Sequence, residues 1–291
     1  KIKEGDGAYQ ITLTPFYFKQ SLGIRAKSIS EEFLIQLGAA NLYGWIAYTI
    51  YDDFLDEEGS PQMISIANVA LRTLTEIFDT ILLENSLFST YACKTLDSID
   101  SANCWEVSNA RPKLESGMYL KDVKLPDYTN YKYLVNRSIG HSLGPSAILF
   151  SLGFGENSEE VKNLSKFFRS YIIAKQLNDD AHDWQEDLLS GHMNPVIVLL
   201  IKKYVVKNPG YIISSRKDLL NKLSELFWYE VILDVSEEIL QYVGKARRAI
   251  KSLSILEEPK YLESLLKGVE GGALKALHDQ KQTVDFLNVY S

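Results

Sequence analysis

The sequence predicts an all-α fold: a single domain over residues 1–291, built as a bundle of about ten helices around a central cavity. Three observations predict it. Apolar residues recur at helical period over long stretches, helix starts and stops are marked by caps, prolines and glycines, and no stretch alternates apolar and polar residues as a half-buried strand would.

Residues 1–14 read as an irregular entry, followed by Pro15-Phe-Tyr-Phe-Lys-Gln-Ser21. Ser28 and Glu31 have capping-box spacing, and Leu34, Leu37, Ala40, Leu42, Trp45, Ile46 and Tyr48 then continue one helix into the acidic run Asp52-Asp-Phe-Leu-Asp-Glu-Glu58. Gly59-Ser-Pro61 breaks that helix, and the next is expected over 64–83. Helices are expected over 88–99 and 102–123, the second interrupted near Pro112. Another starts at Pro126-Asp127 and carries Tyr131, Tyr133 and Arg137, with Gly140 and Gly144-Pro145 kinking it. After Gly153-Phe-Gly155, a cap at Asn157-Ser-Glu-Glu160 opens a helix from Glu159 to Ser190, stopped by Gly191. Helices over 195–206, 216–240 extending toward 256, and 259–286 complete the chain.

Two places carry unusual charge. Gln176-Leu-Asn-Asp-Asp-Ala-His-Asp-Trp-Gln-Glu-Asp187 puts Asp179, Asp183 and Asp187 in one helical column and Asn178, His182 and Glu186 in the next. Stacked like charges repel, so the column predicts a cation above it. Carboxylates at this spacing are hard oxygen ligands, and Mg2+ is typically held by one or two of them together with substrate phosphate oxygens. The Asp52, Asp53 and Asp56 run offers the same donors. Taken alone, either run is as readily a solvated helix end. Each, however, continues an otherwise apolar helix, through Trp45–Tyr51 and Phe168–Leu177, which predicts a cleft in which the two clusters converge.

The bulk properties narrow the function. A net charge of -7, from 31 basic and 38 acidic residues, argues against nucleic acid as a partner. The two cysteines, Cys93 and Cys104, are too few for a disulfide scaffold or a zinc site and are expected as packed core thiols in a reducing, cytoplasmic compartment. The apolar run Pro195–Ile201 is too short for a membrane span, so no integral membrane segment is expected. The chain opens on Lys1 rather than Met, which leaves a removed leader open.

Asp52-Asp-Phe-Leu-Asp56 resembles the aspartate-rich first motif of the class I isoprenoid synthases, the all-α superfamily of trans-prenyltransferases, squalene and phytoene synthases, and terpene cyclases. Around the second cluster the pattern is most similar to squalene/phytoene synthases, with Gln176, Asp183, Glu186, Asp187 and Gly191 at that family's spacing; Phe16-Tyr17-Phe18 and Val135–Gly140 also look like that family. The resemblance covers most of residues 15–195. It implies an Mg2+-dependent enzyme, with two or three ions, that ionises an all-trans C15–C20 prenyl diphosphate for squalene/phytoene-type coupling or terpene cyclisation. The implied metal ligands are Asp52, Asp53, Asp56, Asp179, Asp183 and Asp187. The implied catalytic groups are Arg137, Asp52 and Asp183, and the substrate-binding groups are Arg137, Lys175, Gln176, Tyr48 and Tyr133. Arg137 lies about where a cyclase places a diphosphate-sensing Arg, while Lys175 is equally readable as a local salt partner of the acidic column. Arg247 and Arg248 are either a solvated face or a closure of the site. Tyr48 and Tyr133 belong to a set of aromatics that are core or, lining a cavity, stabilise a carbocation.

The registers overlap: Asp179-Asp180-Ala-His-Asp183 also matches the prenyltransferase motif, and Asn178/His182/Glu186 a cyclase triad with His for Ser. Imidazole is a poor Mg2+ ligand, which favours the aspartate column. The Arg expected before the first motif of squalene/phytoene synthases is replaced by Thr49, and His182 stands where that family has Arg. The alternative is a trans-prenyltransferase elongating with isopentenyl diphosphate. Against it, the Arg pair expected after the first motif is replaced by Glu57-Glu-Gly-Ser-Pro-Gln62, so isopentenyl diphosphate is expected not to be incorporated. An alternative of another class is a non-catalytic or carboxylate-metal helical bundle; the Glu-x-x-His pairs of a ferritin-like site are missing. A homodimer and transient membrane contact for an apolar product are left open.

Overall fold

The computed structural model describes residues 11–55, 59–81 and 86–290, and of residues 86 and 286–290 only the backbone. Among these residues there is no strand; the sole bridge pairs Tyr119 with Ile212. The helices are α1 (Thr14–Leu22), α2 (Glu31–Leu55), α3 (Met63–Ile81), α4 (Ser86–Asn109), α5 (Lys132–Ser138), α6 (Leu143–Ser151), α7 (Glu159–Ser190), α8 (Pro195–Lys207), α9 (Arg216–Leu226), α10 (Ile232–Lys251) and α11 (Lys260–Tyr290). No helix among the described residues is long and apolar enough to cross a membrane.

The chain divides into two compact units. The first holds residues 1–100, 136–169 and 246–264; the second holds 101–135, 170–245 and 265–291. The core of the first is aromatic: Phe88 meets Phe78 and Phe150 edge-on, with ring centroids 5.4 and 5.3 Å apart, and Phe167 packs against Phe168. These rings are buried, as are Phe18, Leu22, Leu34 and Leu37. In the second unit, Trp184 of α7 lies over Phe227, and Leu188, Met193, Ile197 and Ile201 are sealed from solvent. Burying side chains of this size contributes about 1.5–3 kcal/mol each, which is why the helices hold despite their acidic ends.

Helix ends follow local chemistry in most places. Ser158 caps α7 by accepting from the Val161 N–H, and Gly191, at φ +93°, ends it in the left-handed conformation that glycine adopts freely. Asn194 caps α8, with Pro195 in its first turn. Five expectations change. The cap of α2 is Ser30, whose hydroxyl accepts from Phe33 N, rather than Ser28, so the helix starts two residues later. Helix α4 runs unbroken through Ile99–Ala102, because Asp100 and Ser101 do not interrupt a helix, and stops at Asn109 ahead of Pro112. The helix expected from Pro126 begins only at Lys132, because Asn130 and Tyr131 take positive φ, and its kink is the 3-10 turn Ile139–Ser142. The long C-terminal pattern from Arg216 is divided by a π-helical turn at Phe227–Val231. Both cysteines are exposed free thiols, not core residues: they fall on the outer side of α4 while Ala92 and Ala102 face inward.

Candidate active site

In the first unit, α2 delivers the first acidic cluster. Leu34, Leu37, Ala40 and Ala47 are buried, whereas Trp45, Tyr48 and Tyr51 remain half-exposed along the approach to Asp52 and Asp53. Tyr48 donates to Asp100 Oδ1 at 3.1 Å and Tyr51 to Asn68 Oδ1 at 2.6 Å, so both phenols are oriented by neighbouring helices. Burial and the Asp100 carboxylate hold the Tyr48 hydroxyl well above its ordinary range. Asp56, Glu57 and Glu58 lie outside the described residues.

Arg137, at the end of α5, makes an ion pair through its guanidinium with Asp52. Its position follows from the short α5 and the 3-10 turn after it, which turn the chain within one helical turn. Gly140 in that turn has a packing reason, since a Cβ there would sit 3.3 Å from Ile99. Beside Arg137, the buried Asn136 accepts from Arg169 of α7 at 3.3 Å. Burial pulls the Arg169 guanidinium below its ordinary value. Sequence reasoning missed Arg169; the available signal was a lone cation between the core residues Phe168 and Tyr171. Arg247 pairs with Glu263 at 3.2 Å, and Arg248 is exposed.

In the second unit, the acidic stretch of α7 presents Asp179 and Asp180 half-buried and Asp183 and Glu186 exposed. Lys175 forms an i,i+4 ion pair with Asp179 at 2.9 Å, and Gln176 is half-buried beside it. His182 folds back on its own helix, Nδ1 lying 2.6 Å from the Asn178 carbonyl. The Asn178 side chain abuts α11, where a Cβ on Gly272 would come within 2.7 Å of its Oδ1. Tyr133 stacks on Trp105 with ring centroids 4.4 Å apart.

The end of α7 is held by a cluster that the sequence did not reveal. Asn194 donates to Asp187 Oδ2 at 2.7 Å, and His192 lies 3.5 Å from the same oxygen through Nδ1 and 3.2 Å from Glu106 through Nε2. Burial works against a charge on His192, but hydrogen bonds to Asp187 and Glu106 outweigh it and push the imidazole up to about 9.

The donors suit Mg2+: carboxylate oxygens of Asp52 and Asp53 stand partly open on the last turn of α2, and those of Asp179 and Asp183 stand partly open on α7 ahead of its final turn. Among the described residues no three His, Cys, Asp or Glu side chains gather into a group that could hold a metal ion. Mg2+ is typically held by one or two carboxylates together with waters and substrate phosphates.

No protein-family model and no curated protein matches the sequence. Solved structures do. A polyprenyl synthase from Caulobacter crescentus CB15, complexed with calcium and isoprenyl diphosphate, superposes with a TM-score of 0.64 at 14% identity, over 90% of this chain and 84% of that one. The geranylgeranyl pyrophosphate synthetase of the archaeon Geoglobus acetivorans gives a TM-score of 0.61 at 17% identity, over 94% and 90%. Likeness at such identities is likeness of architecture, and the chain has the all-α isoprenoid synthase fold.

Proposed function

We propose that the chain is a class I prenyl diphosphate enzyme whose Mg2+ ligands are Asp52, Asp53 and Asp56 of the first acidic cluster and Asp179 and Asp183 of the second, the metal serving a substrate diphosphate. The observation that carries this reading is the presence of two open carboxylate clusters, one on the last turn of α2 and one on α7, within an isoprenoid synthase fold. Bound Mg2+ would supply Lewis-acid stabilisation of the leaving diphosphate. Arg137, now paired with Asp52, is the group that turns to the diphosphate as metal takes over the carboxylate, and a guanidinium suits two phosphate oxygens at once. The half-exposed Trp45 and Tyr48 present aromatic faces where an allylic cation would form, and apolar surface beside them keeps water from it.

For the onward reaction, the two structural relatives support elongation of an allylic diphosphate with isopentenyl diphosphate. Coupling or cyclisation is the second reading, favoured by the acidic Glu57-Glu58 where an elongating enzyme would need basic partners for a second diphosphate. Purified protein incubated with C10, C15 and C20 prenyl diphosphates and Mg2+, with and without isopentenyl diphosphate, separates them. Five-carbon extension establishes elongation; diphosphate release and a hydrocarbon product without isopentenyl diphosphate establish the second reading. Absence of diphosphate release in every arm refutes both.

A further inference from the structure

We propose that Asp187 is not the third metal-binding rung of α7 but, together with His192, the anchor that fixes the direction in which Asp179 and Asp183 present their carboxylates. The metal half of this inference rests on the function proposed above; the anchor itself does not.

The environment of Asp187 is that of a structural carboxylate. Its Oδ2 accepts from Asn194 Nδ2 at 2.7 Å, and Asn194 is only 1% exposed. The same amide also donates to the Asp180 carbonyl, while its oxygen accepts from Ile197 N and so starts α8. A buried amide used at three points is costly to release, because each group left without a partner has lost its water as well. The second contact, His192, bridges Asp187 to Glu106 on α4, and Glu106 is 9% exposed. A carboxylate that deep needs a cationic or hydrogen-bonded neighbour, and His192 stands beside it.

The backbone makes the same connection. Gly191 N and His192 N both donate to the Asp187 carbonyl, Met193 N donates to the Ala110 carbonyl, and the Tyr128 hydroxyl donates to the Met193 carbonyl at 2.7 Å. Residues 191–194 therefore tie the last turn of α7 to the segment around 106–128. Drawing the Asp187 carboxylate toward a metal would break its contacts with Asn194 and His192. Asp183 is exposed and Asp179 carries only an exposed lysine partner, so either can turn to a metal without disturbing the interior. Two carboxylates one turn apart also match what Mg2+ takes when phosphate oxygens complete its shell.

The test compares D187N, H192Q and D183N by thermal melting of the metal-free protein and by the rise in Tm on titrating Mg2+ in the presence of inorganic pyrophosphate. An anchor requires D187N and H192Q to behave alike: both lower the metal-free Tm by roughly 5 °C. Both also raise the Mg2+ half-saturation roughly 10-fold, as loss of a supporting group does. D183N keeps the metal-free Tm and loses the Mg2+ response. The proposal is overturned if D187N loses the response as D183N does while H192Q responds like wild type, or if neither D187N nor H192Q lowers the metal-free Tm. A wild-type protein that shows no rise with Mg2+ and pyrophosphate refutes the functional reading, and the metal-free melts still decide the anchor.

Discussion

The two acidic clusters look alike in sequence and are held in different ways. Both lie on long helices: Asp52 and Asp53 in the closing turn of α2, where the helix dipole disfavours carboxylates and no basic residue of that turn offsets them, and Asp179 and Asp183 ahead of the closing turn of α7. At the first cluster the compensating charge comes from another element, through Arg137 on Asp52. At the second it is divided: Lys175 neutralises Asp179 from within the helix, while Asp187 is fixed by Asn194 and His192. A partly exposed guanidinium on a carboxylate is the kind of contact that metal or diphosphate can replace. A cluster pinned at its end holds its geometry. On the proposed function, the first cluster is the part that responds to ligand and the second the rigid frame.

The largest effect should come from removing the cation of the first cluster. Arg137 and Asp52 have side chains 24% and 49% exposed, and an ion pair that open contributes at most about 1 kcal/mol to stability. Loss of a preorganised group that stabilises a departing diphosphate is expected to cost roughly 100- to 1,000-fold in kcat/KM. Arg137→Gln should therefore melt close to wild type yet lose most diphosphate release. A matched loss of Tm and activity would make the pair structural and remove the contrast between the clusters.

At the second cluster, Asp183→Asn should lower activity by roughly 100-fold or more, since it deletes a hard anionic ligand, whereas His182→Ser should stay within a few-fold. The structure places His182 against the Asn178 carbonyl of its own helix, which leaves Nδ1 occupied. Steady-state diphosphate release over a range of Mg2+ concentrations distinguishes the two. Equal losses would shift the metal to the Asn178, His182 and Glu186 face.

How much of this was legible depended on whether the deciding interaction was local. Helix α7 was legible at both ends because Ser158 and Gly191 act within their own turns. Asp52, Asp179 and Asp183 stand out as candidates because charge density on an apolar helix is a sequence pattern. The start of α5 was not legible, because Asn130 and Tyr131 take positive φ in surroundings distant in sequence; Tyr131, for one, lies beside Glu238 and packs edge-on against Tyr242. Nor was the anchor of α7: Glu106, Tyr128 and His192 meet only after folding, and each alone is an ordinary residue. Arg137 stands out through the resemblance to the cyclases, but nothing in the sequence singles out Asp52 as its partner.

A smaller effect is expected where the pinned end turns. Gly191 at φ +93° gives way to a side chain at a cost of about 1–2 kcal/mol. A Cβ there would also approach Arg216 Nη2 to 2.6 Å, forcing the guanidinium off the Leu189 carbonyl it now donates to at 2.9 Å. Gly191→Ala should lower Tm by several degrees. Arg216→Ala in the same background should return none of the backbone component, so a complete rescue would place the cost in the clash alone.

The smallest expected effect bears on which face of α7 does the chemistry. Gly272 lies inside α11, where alanine in place of glycine ordinarily stabilises by about 0.5–1 kcal/mol because the unfolded chain has less freedom to lose. Here the added Cβ would stand 2.7 Å from Asn178 Oδ1, so the amide has to rotate away, which its χ2 torsion allows at small cost. The two contributions oppose each other, and Gly272→Ala should leave Tm within about 1 °C of wild type. Its consequence for activity is the sharper readout. With metal on Asp179 and Asp183, turning Asn178 changes nothing at the reacting diphosphate, and kcat/KM should stay within about twofold. With metal on the Asn178, His182 and Glu186 face, the same rotation removes an oxygen ligand, and the required Mg2+ concentration should rise steeply at unchanged Tm.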